Sequence, residues 1–143
     1  MQLMAEVLRR RDSTVIPSSV RIRLLPALEY IHDNYISPEL RISDIAAHCN
    51  ISERYLCKLF RDDMGTSPKE YITELRLKYA KELLSKSVLS EGFNDSIESI
   101  ANRTGFTDGN YFSAAFHEKV GISPSEYRRK YGYFNDVNDN EDI

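Results

Sequence analysis

Asp44-Ile45-Ala46-Ala47-His48-Cys49-Asn50-Ile51-Ser52 and, 55 residues further on, Ser99-Ile100-Ala101-Asn102-Arg103-Thr104-Gly105-Phe106-Thr107 are two versions of one pattern. Each predicts a short helix, a tight turn and the start of a longer helix. Asn50 and Gly105 fall at the turn, where the backbone needs a positive φ that these two residue types tolerate best. Ala46 and Ala101 are small where two helices would cross closely. Ile51 and Phe106 follow the turn and are expected to plug the core.

The repeat extends beyond the turn. Phe60, Gly65, Ser67, Pro68, Glu70 and Tyr71 recur 56 positions on as Phe116, Gly121, Ser123, Pro124, Glu126 and Tyr127. The change of offset places one extra residue in the second copy, between Thr107 and Tyr111. Two copies are too few for a solenoid, so the pattern predicts a duplicated helical unit.

Working outward, the whole chain reads as helical. Leu25, Leu28, Ile31 and Tyr35 share a face, with Pro26 expected in or near the first turn, where proline is tolerated. Ser43 is placed to cap residues 44–48, and Ser52 to cap residues 53–63, which stop before Gly65. Ser67-Pro68-Lys69-Glu70 is a capping box with proline at the first helical position. It opens a long helix to about Lys86, with Tyr71, Leu75, Tyr79 and Leu83 spaced for one face. Residues 88–95 read as a loop. In the second copy Ser96 is expected to cap residues 97–104, and Thr107 to cap about 108–119. Ser123-Pro124-Ser125-Glu126 is a second capping box opening a short last helix. The fold class is therefore all-α, with about seven helices in two helix-turn-helix subdomains joined by one long helix. The first unit spans about residues 21–67, the linker helix 68–86 and the second unit 96–131.

The ends differ from this middle. Met1, Met4 and Leu8, with Leu3 and Val7, make a helical stripe, and residues 12–19 read as a loop. Two accounts of residues 1–20 stand, a frayed tail or the end of a missing upstream domain. The tail after Gly132 is acidic and asparagine-rich, and disorder is expected there.

Composition narrows the function. The 143 residues are 41% hydrophobic and 29% charged, a globular balance with room for a core. No stretch approaches the roughly 18 apolar residues of a membrane span, and residues 1–11 lack a signal peptide's apolar core. Two cysteines, Cys49 and Cys57, are too few for a disulfide scaffold, and three histidines at these spacings suggest no metal site. A reducing cytosol, no cofactor and no metal are expected. No Ser/His/Asp set, phosphate loop or carboxylate pair suggests an enzyme.

The net charge of −3 argues at first against nucleic acid. Its distribution reverses that. Asp136, Asp139, Glu141 and Asp142 all lie in the tail, so residues 1–132 carry −3 + 4 = +1. Between Arg54 and Lys86, eight Lys/Arg against five Asp/Glu leave +3. A local basic face is the electrostatic footprint of a nucleic-acid binder. In a helix-turn-helix the second helix enters the DNA major groove.

These residues together resemble the DNA-binding domain of the AraC/XylS family of bacterial transcription regulators. The resemblance covers about residues 20–131. It rests on Tyr30-Ile31-His32 with Asn34-Tyr35, Asp44-Ile45-Ala46, Ser52 with Tyr55-Leu56, Leu59-Phe60 and Gly65 with Ser67-Pro68, then on Tyr71, Arg76-Leu77, Ala80 and Leu83-Leu84. Its most specific part is Ile100-Ala101, Gly105-Phe106, Tyr111-Phe112, Phe116 and Gly121 with Ser123-Pro124 and Tyr127. It implies two helix-turn-helix units on one linker helix, touching neighbouring major-groove segments. It also implies activation through contact with RNA polymerase, a cytoplasmic location on the nucleoid, and in many relatives a separate sensor domain upstream through which the chain could dimerise. Eighteen residues from Pro68 to Ser85 span about 27 Å as a helix, compatible with reading helices about one DNA turn, roughly 34 Å, apart.

The resemblance places reading positions of the first unit at Glu53, Arg54, Cys57 and Lys58, with Tyr55 and Arg61 beside them. Arg54 or Lys58 suits a guanine edge, Glu53 a cytosine amine and Cys57 a thymine methyl, each good pairing discriminating roughly tenfold or more. Cys57 could equally be a small filler, and Tyr55 either core or a phosphate ligand. In the second unit the exposed candidates are Asp108, Asn110, Ser113, Ala114 and His117, beside Gly109. Family members often carry arginine or lysine where this chain has Ala114 and His117, and residues 108–119 sum to −1. The first unit is therefore expected to dominate specificity, with Arg103, Arg128, Arg129 and Lys130 supplying phosphate contacts to the second. The competing account is a helical protein-interaction module that has lost specific DNA binding. It would treat the same charges as a solvated face.

Overall fold

The computed structural model describes residues 18–86 and 95–132, with side chains from residue 22 onward. The expected helix at 1–11, the loop at 88–94 and the acidic tail from 133 lie outside the described residues. Seven helices and no strand are present among the described residues: α1 (Ser18–Asn34), α2 (Ile42–His48), α3 (Glu53–Met64), α4 (Pro68–Lys86), α5 (Ile97–Arg103), α6 (Gly109–Val120) and α7 (Pro124–Tyr131). The all-α class read from the sequence is the observed one.

The chain forms two compact units. Among the described residues, the first comprises 18–35 with 40–72, and the second 36–39 with 73–86 and 95–132. The division falls inside α4, between Ile72 and Thr73.

In the first unit α1 packs on α2 and α3, and α2 on α3. Leu24, Ala27, Leu28 and Ile31 of α1 are buried, as are Ile45 and Ala46 of α2 and Leu56, Leu59 and Phe60 of α3. Leu28 and Ile31 are thus buried as expected, whereas Leu24 and Ala27 complete the stripe in place of Leu25 and Tyr35, which are half-buried. Pro26 lies inside the helix, not in its first turn, and Tyr35 lies beyond it. Pro26 faces solvent, the side on which water can satisfy a carbonyl that proline leaves without its helical partner. Tyr71 at the start of α4 closes this unit. Its ring meets Phe60 edge-on at 5.8 Å, and its hydroxyl lies 2.8 Å from His32 Nε2.

In the second unit Leu77, Ala80 and Leu84 of α4 join Ile100, Ala101, Phe106, Phe112 and Phe116 in one core, with Leu83, Ile97, Val120 and Tyr127 at its margin. A helix that feeds one core with Ile72 and another with Leu77, Ala80 and Leu84 has no single apolar stripe. For that reason the face expected from Tyr71, Leu75, Tyr79 and Leu83 is only partly the buried one. Arg76, half-buried, donates to the Ser37 carbonyl at 2.9 Å and lies over the Phe106 ring at 5.9 Å, fastening residues 36–39 to this unit. Burial lowers its pKa from the ordinary guanidinium value.

The helix starts follow local chemistry, with two corrections. Ser52 accepts from the Tyr55 amide, Ser67 from Glu70, Ser96 from Ser99 and Ser123 from Glu126, at 3.0–3.2 Å. Ser43, however, lies within α2. That helix starts after Arg41, whose amide donates to the Asp44 carboxylate at 3.1 Å. Asp108, not Thr107, caps α6, accepting from the Asn110 amide at 2.9 Å. The carboxylate outcompetes the neighbouring hydroxyl as an acceptor for orphan N–H groups.

Candidate nucleic-acid interface

Both turns are built from the same hydrogen bonds. Ile51 N–H donates to the Ala46 carbonyl at 3.1 Å, and Phe106 N–H to Ala101 at 2.9 Å. Asn50 and Gly105, at the left-handed position, donate to Ala47 and Asn102. This is the Schellman closure of a helix, and it aims the chain sharply into α3 and α6. Asn50 has φ 57° and Gly105 φ 101°, the positive values the sequence called for. Ala46 and Ala101 are buried, and so is Phe106, whereas Ile51 is half-buried and only partly the plug expected of it.

With turns and caps aligned, the second helices correspond residue by residue at an offset of 56: the caps are Ser52 and Asp108, and the buried aromatics Phe60 and Phe116. The plugs Ile51 and Phe106 stand 55 apart, so the extra residue of the second copy is Thr107. It lies before the helix, one step earlier than expected.

Leu56, Leu59 and Phe60 turn α3 inward. Glu53, Arg54, Tyr55, Lys58 and Arg61 are exposed, and Cys57 is half-buried. Arg54, Tyr55, Cys57, Lys58 and Arg61, with Ser52 and Asp62, line one open depression on this face. Tyr55 is 47% exposed, which removes it from the core. Asp63 turns away from this face and pairs with Arg23 of α1. The outward face of α3 therefore carries Arg54, Lys58 and Arg61 against Glu53 and Asp62, a net of +3 − 2 = +1. Lys58 Nζ donates to Asp62 Oδ2 at 3.0 Å, a bond that raises the lysine pKa further above its ordinary value. Sequence reasoning missed Ser52 and Asp62 as members of this face. The i,i+4 spacing of Lys58 and Asp62 was the available signal.

On α6, Phe112 and Phe116 point inward. Asn110, Ala114 and His117 are exposed and Ser113 is half-buried. Asp108, also exposed, is committed through one oxygen to its cap. Tyr111 is 52% exposed, its ring 6.1 Å from Phe106, so it lies at the core's edge and not within it. Two residues expected to face phosphates are otherwise engaged. Arg103 pairs with the Asp95 carboxylate, and Arg128 donates to the Asp95 carbonyl. Asp95 is 8% exposed, so these guanidinium groups pin residue 95 ahead of α5. Arg129 and Lys130 remain exposed on α7. Among the described residues no helix is long and apolar enough to cross a membrane.

Comparison with known proteins agrees with this architecture. A helix-turn-helix domain family model matches residues 45–130. The raffinose operon transcriptional regulatory protein of Pediococcus pentosaceus is 42% identical over 106 residues, covering 74% of this chain and 36% of that protein. A transcriptional regulator of Chromobacterium violaceum described as AraC-type has a similar solved structure, with TM-score 0.67 and 31% identity, covering 80% of this chain and 96% of that one. The DNA-binding domain of AdpA, solved in complex with a target DNA, shares the fold at TM-score 0.65 and 24% identity, covering 76% of this chain and 92% of that one. The chain spans little more than a third of the length of the curated regulators it matches.

Proposed function

The chain belongs to the helix-turn-helix family of the AraC type, and from that premise we propose that it is the DNA-binding region of a bacterial transcription regulator. It binds duplex DNA sequence-specifically, with α3 and α6 entering neighbouring major-groove segments. The observation that carries this reading is the duplicated turn. Each copy closes on the same pair of backbone bonds and presents a capped helix whose polar face is free of the core.

The two helices divide the work unequally. Arg54 and Lys58 offer donors to base edges, Cys57 an apolar contact for a thymine methyl, and Glu53 an acceptor for cytosine. Arg61 and the Tyr55 hydroxyl reach towards the backbone. On α6, Asn110 reads adenine and Ser113, Ala114 and His117 line the groove without a fixed cation. Asp108 orders the amides of the first turn. Arg129 and Lys130 supply the phosphate contacts to this unit, since Arg103 and Arg128 are held by Asp95.

The protein works in the cytoplasm on the nucleoid, contacts RNA polymerase, and dimerises through a domain upstream of residue 20. The test is binding of the 143-residue chain to duplex and single-stranded DNA across a salt series. Duplex affinity that falls steeply with salt, through counterion release, supports the proposal. Weak, salt-insensitive binding would replace it with the protein-interaction module.

A further inference from the structure

Asp62 sits where a DNA reader has most reason to avoid an anion. It is exposed, lines the same depression as Arg54 and Lys58, and bonds to the Lys58 ammonium. Asp63, the next acidic residue, is turned away to Arg23, so Asp62 is the acidic group that this part of α3 presents outward. Position 118, its counterpart 56 residues on, is also acidic and exposed, but the counterpart of Lys58 is Ala114, and the pair has no equivalent there.

We propose that Asp62 is a specificity-setting positioning residue that acts through Lys58, weakening contact with phosphate more than contact with bases. The inference rests on the DNA-binding reading above.

The chemistry is that of the ammonium group. It has three N–H donors and no acceptor. One donor spent on Asp62 leaves two, enough for the O6 and N7 acceptors of guanine, which are neutral and do not repel the carboxylate. A phosphate is an anion. It competes with Asp62 for the same cation and is repelled by it, so Lys58 must leave its partner to bind bulk duplex well. The pair also restrains a flexible four-carbon stem, holding the ammonium over the groove face before DNA arrives. Both effects favour the correct site over the rest of the genome, and that ratio governs occupancy.

The test compares the unaltered chain with Asp62→Asn, Lys58→Ala and the double variant. Each is titrated with its selected duplex and with a random-sequence duplex at several salt concentrations. Asp62→Asn keeps the side chain's size at an exposed position, and its melting temperature should match the unaltered chain. The expected result is tighter binding to random duplex, with a salt slope steeper by about 0.9, and a ratio of selected to random affinity reduced about fivefold. In the Lys58→Ala background the same substitution should leave the ratio unchanged within about twofold. An unchanged ratio for Asp62→Asn alone would overturn the inference, as would an equal fall with Lys58 absent. Failure of the unaltered chain to bind any duplex would instead refute the DNA-binding reading, and this inference with it.

Discussion

Replacing Phe116 by alanine should remove the centre of the second unit. The side chain is fully buried. Its ring lies 5.8 Å from Phe112 and meets Tyr127 edge-on at 5.5 Å, and Phe112 in turn lies 5.1 Å from Phe106. Phe116 is therefore an inner link in a chain of six rings that runs from Tyr111 through Phe106, Phe112, Phe116 and Tyr127 to Tyr131. About 150 Å² of apolar surface at about 25 cal/mol per Å² gives a transfer loss of about 4 kcal/mol. Two severed ring contacts and an unfilled cavity add to this, and partial collapse of the neighbours subtracts. The sum stays within the roughly 3–5 kcal/mol typical of buried Phe→Ala changes. At about 4 °C per kcal/mol for a domain of this size, the melting temperature should fall about 15 °C. Urea unfolding followed by far-UV circular dichroism measures the loss directly, with an unchanged m-value expected if both ends of the transition stay the same. Phe116→Leu, which keeps most of the volume, should cost about 1–2 kcal/mol. A loss below about 2 kcal/mol for alanine would refute the placement of Phe116 at the centre of the core.

Other outcomes follow from the interface and its supports. Lys58→Ala should reduce the preference for the selected duplex more than Ser113→Ala does, in competition binding, and equal losses would defeat the claim that the first unit dominates. Asp108→Ala should cost about 1 kcal/mol through loss of the α6 cap while Thr107→Ala stays near neutral, and the reverse order in chemical unfolding would contradict the cap assignment. Gly105→Ala should destabilise by about 1 kcal/mol because of its positive φ, whereas Asn50→Gly should be neutral or stabilising. Selected duplex should protect Cys57, on the reading face, from alkylation. Cys49 should react slowly with or without DNA near neutral pH, because burial raises its thiol pKa and its thiolate forms only at higher pH; mass spectrometry after timed alkylation separates the two.

The turns and caps of this fold were legible because they are local. Asn50, Gly105, Ser52, Ser67, Ser96 and Ser123 act on backbone groups within a few residues. What the sequence concealed depends on competition or on distance. Ser43 is a good cap in isolation, but α2 starts two residues earlier, where the Asp44 carboxylate closes back on the Arg41 amide, and Thr107 gives way to the carboxylate of Asp108 beside it. Pro26 suggested a helix start, but on the solvent side of α1 it is carried inside the helix. Arg103 and Arg128 looked like phosphate ligands. Their partner Asp95 lies eight and 33 residues away, a separation no local pattern encodes. The exposed face of α3 was visible from the inward spacing of Leu56, Leu59 and Phe60. Its sorting of acids, with Asp62 outward and Asp63 turned to Arg23, needed the folded chain.

The most direct test of the central claim is selection of sites from a random duplex library by the 143-residue chain, with affinity then followed against salt. A two-part site of about 20 base pairs is predicted, its parts one helical turn apart, with the stronger sequence constraint in one part and that part relaxed by Lys58→Ala. Absence of any enriched sequence, with binding that does not weaken as salt rises, would contradict it.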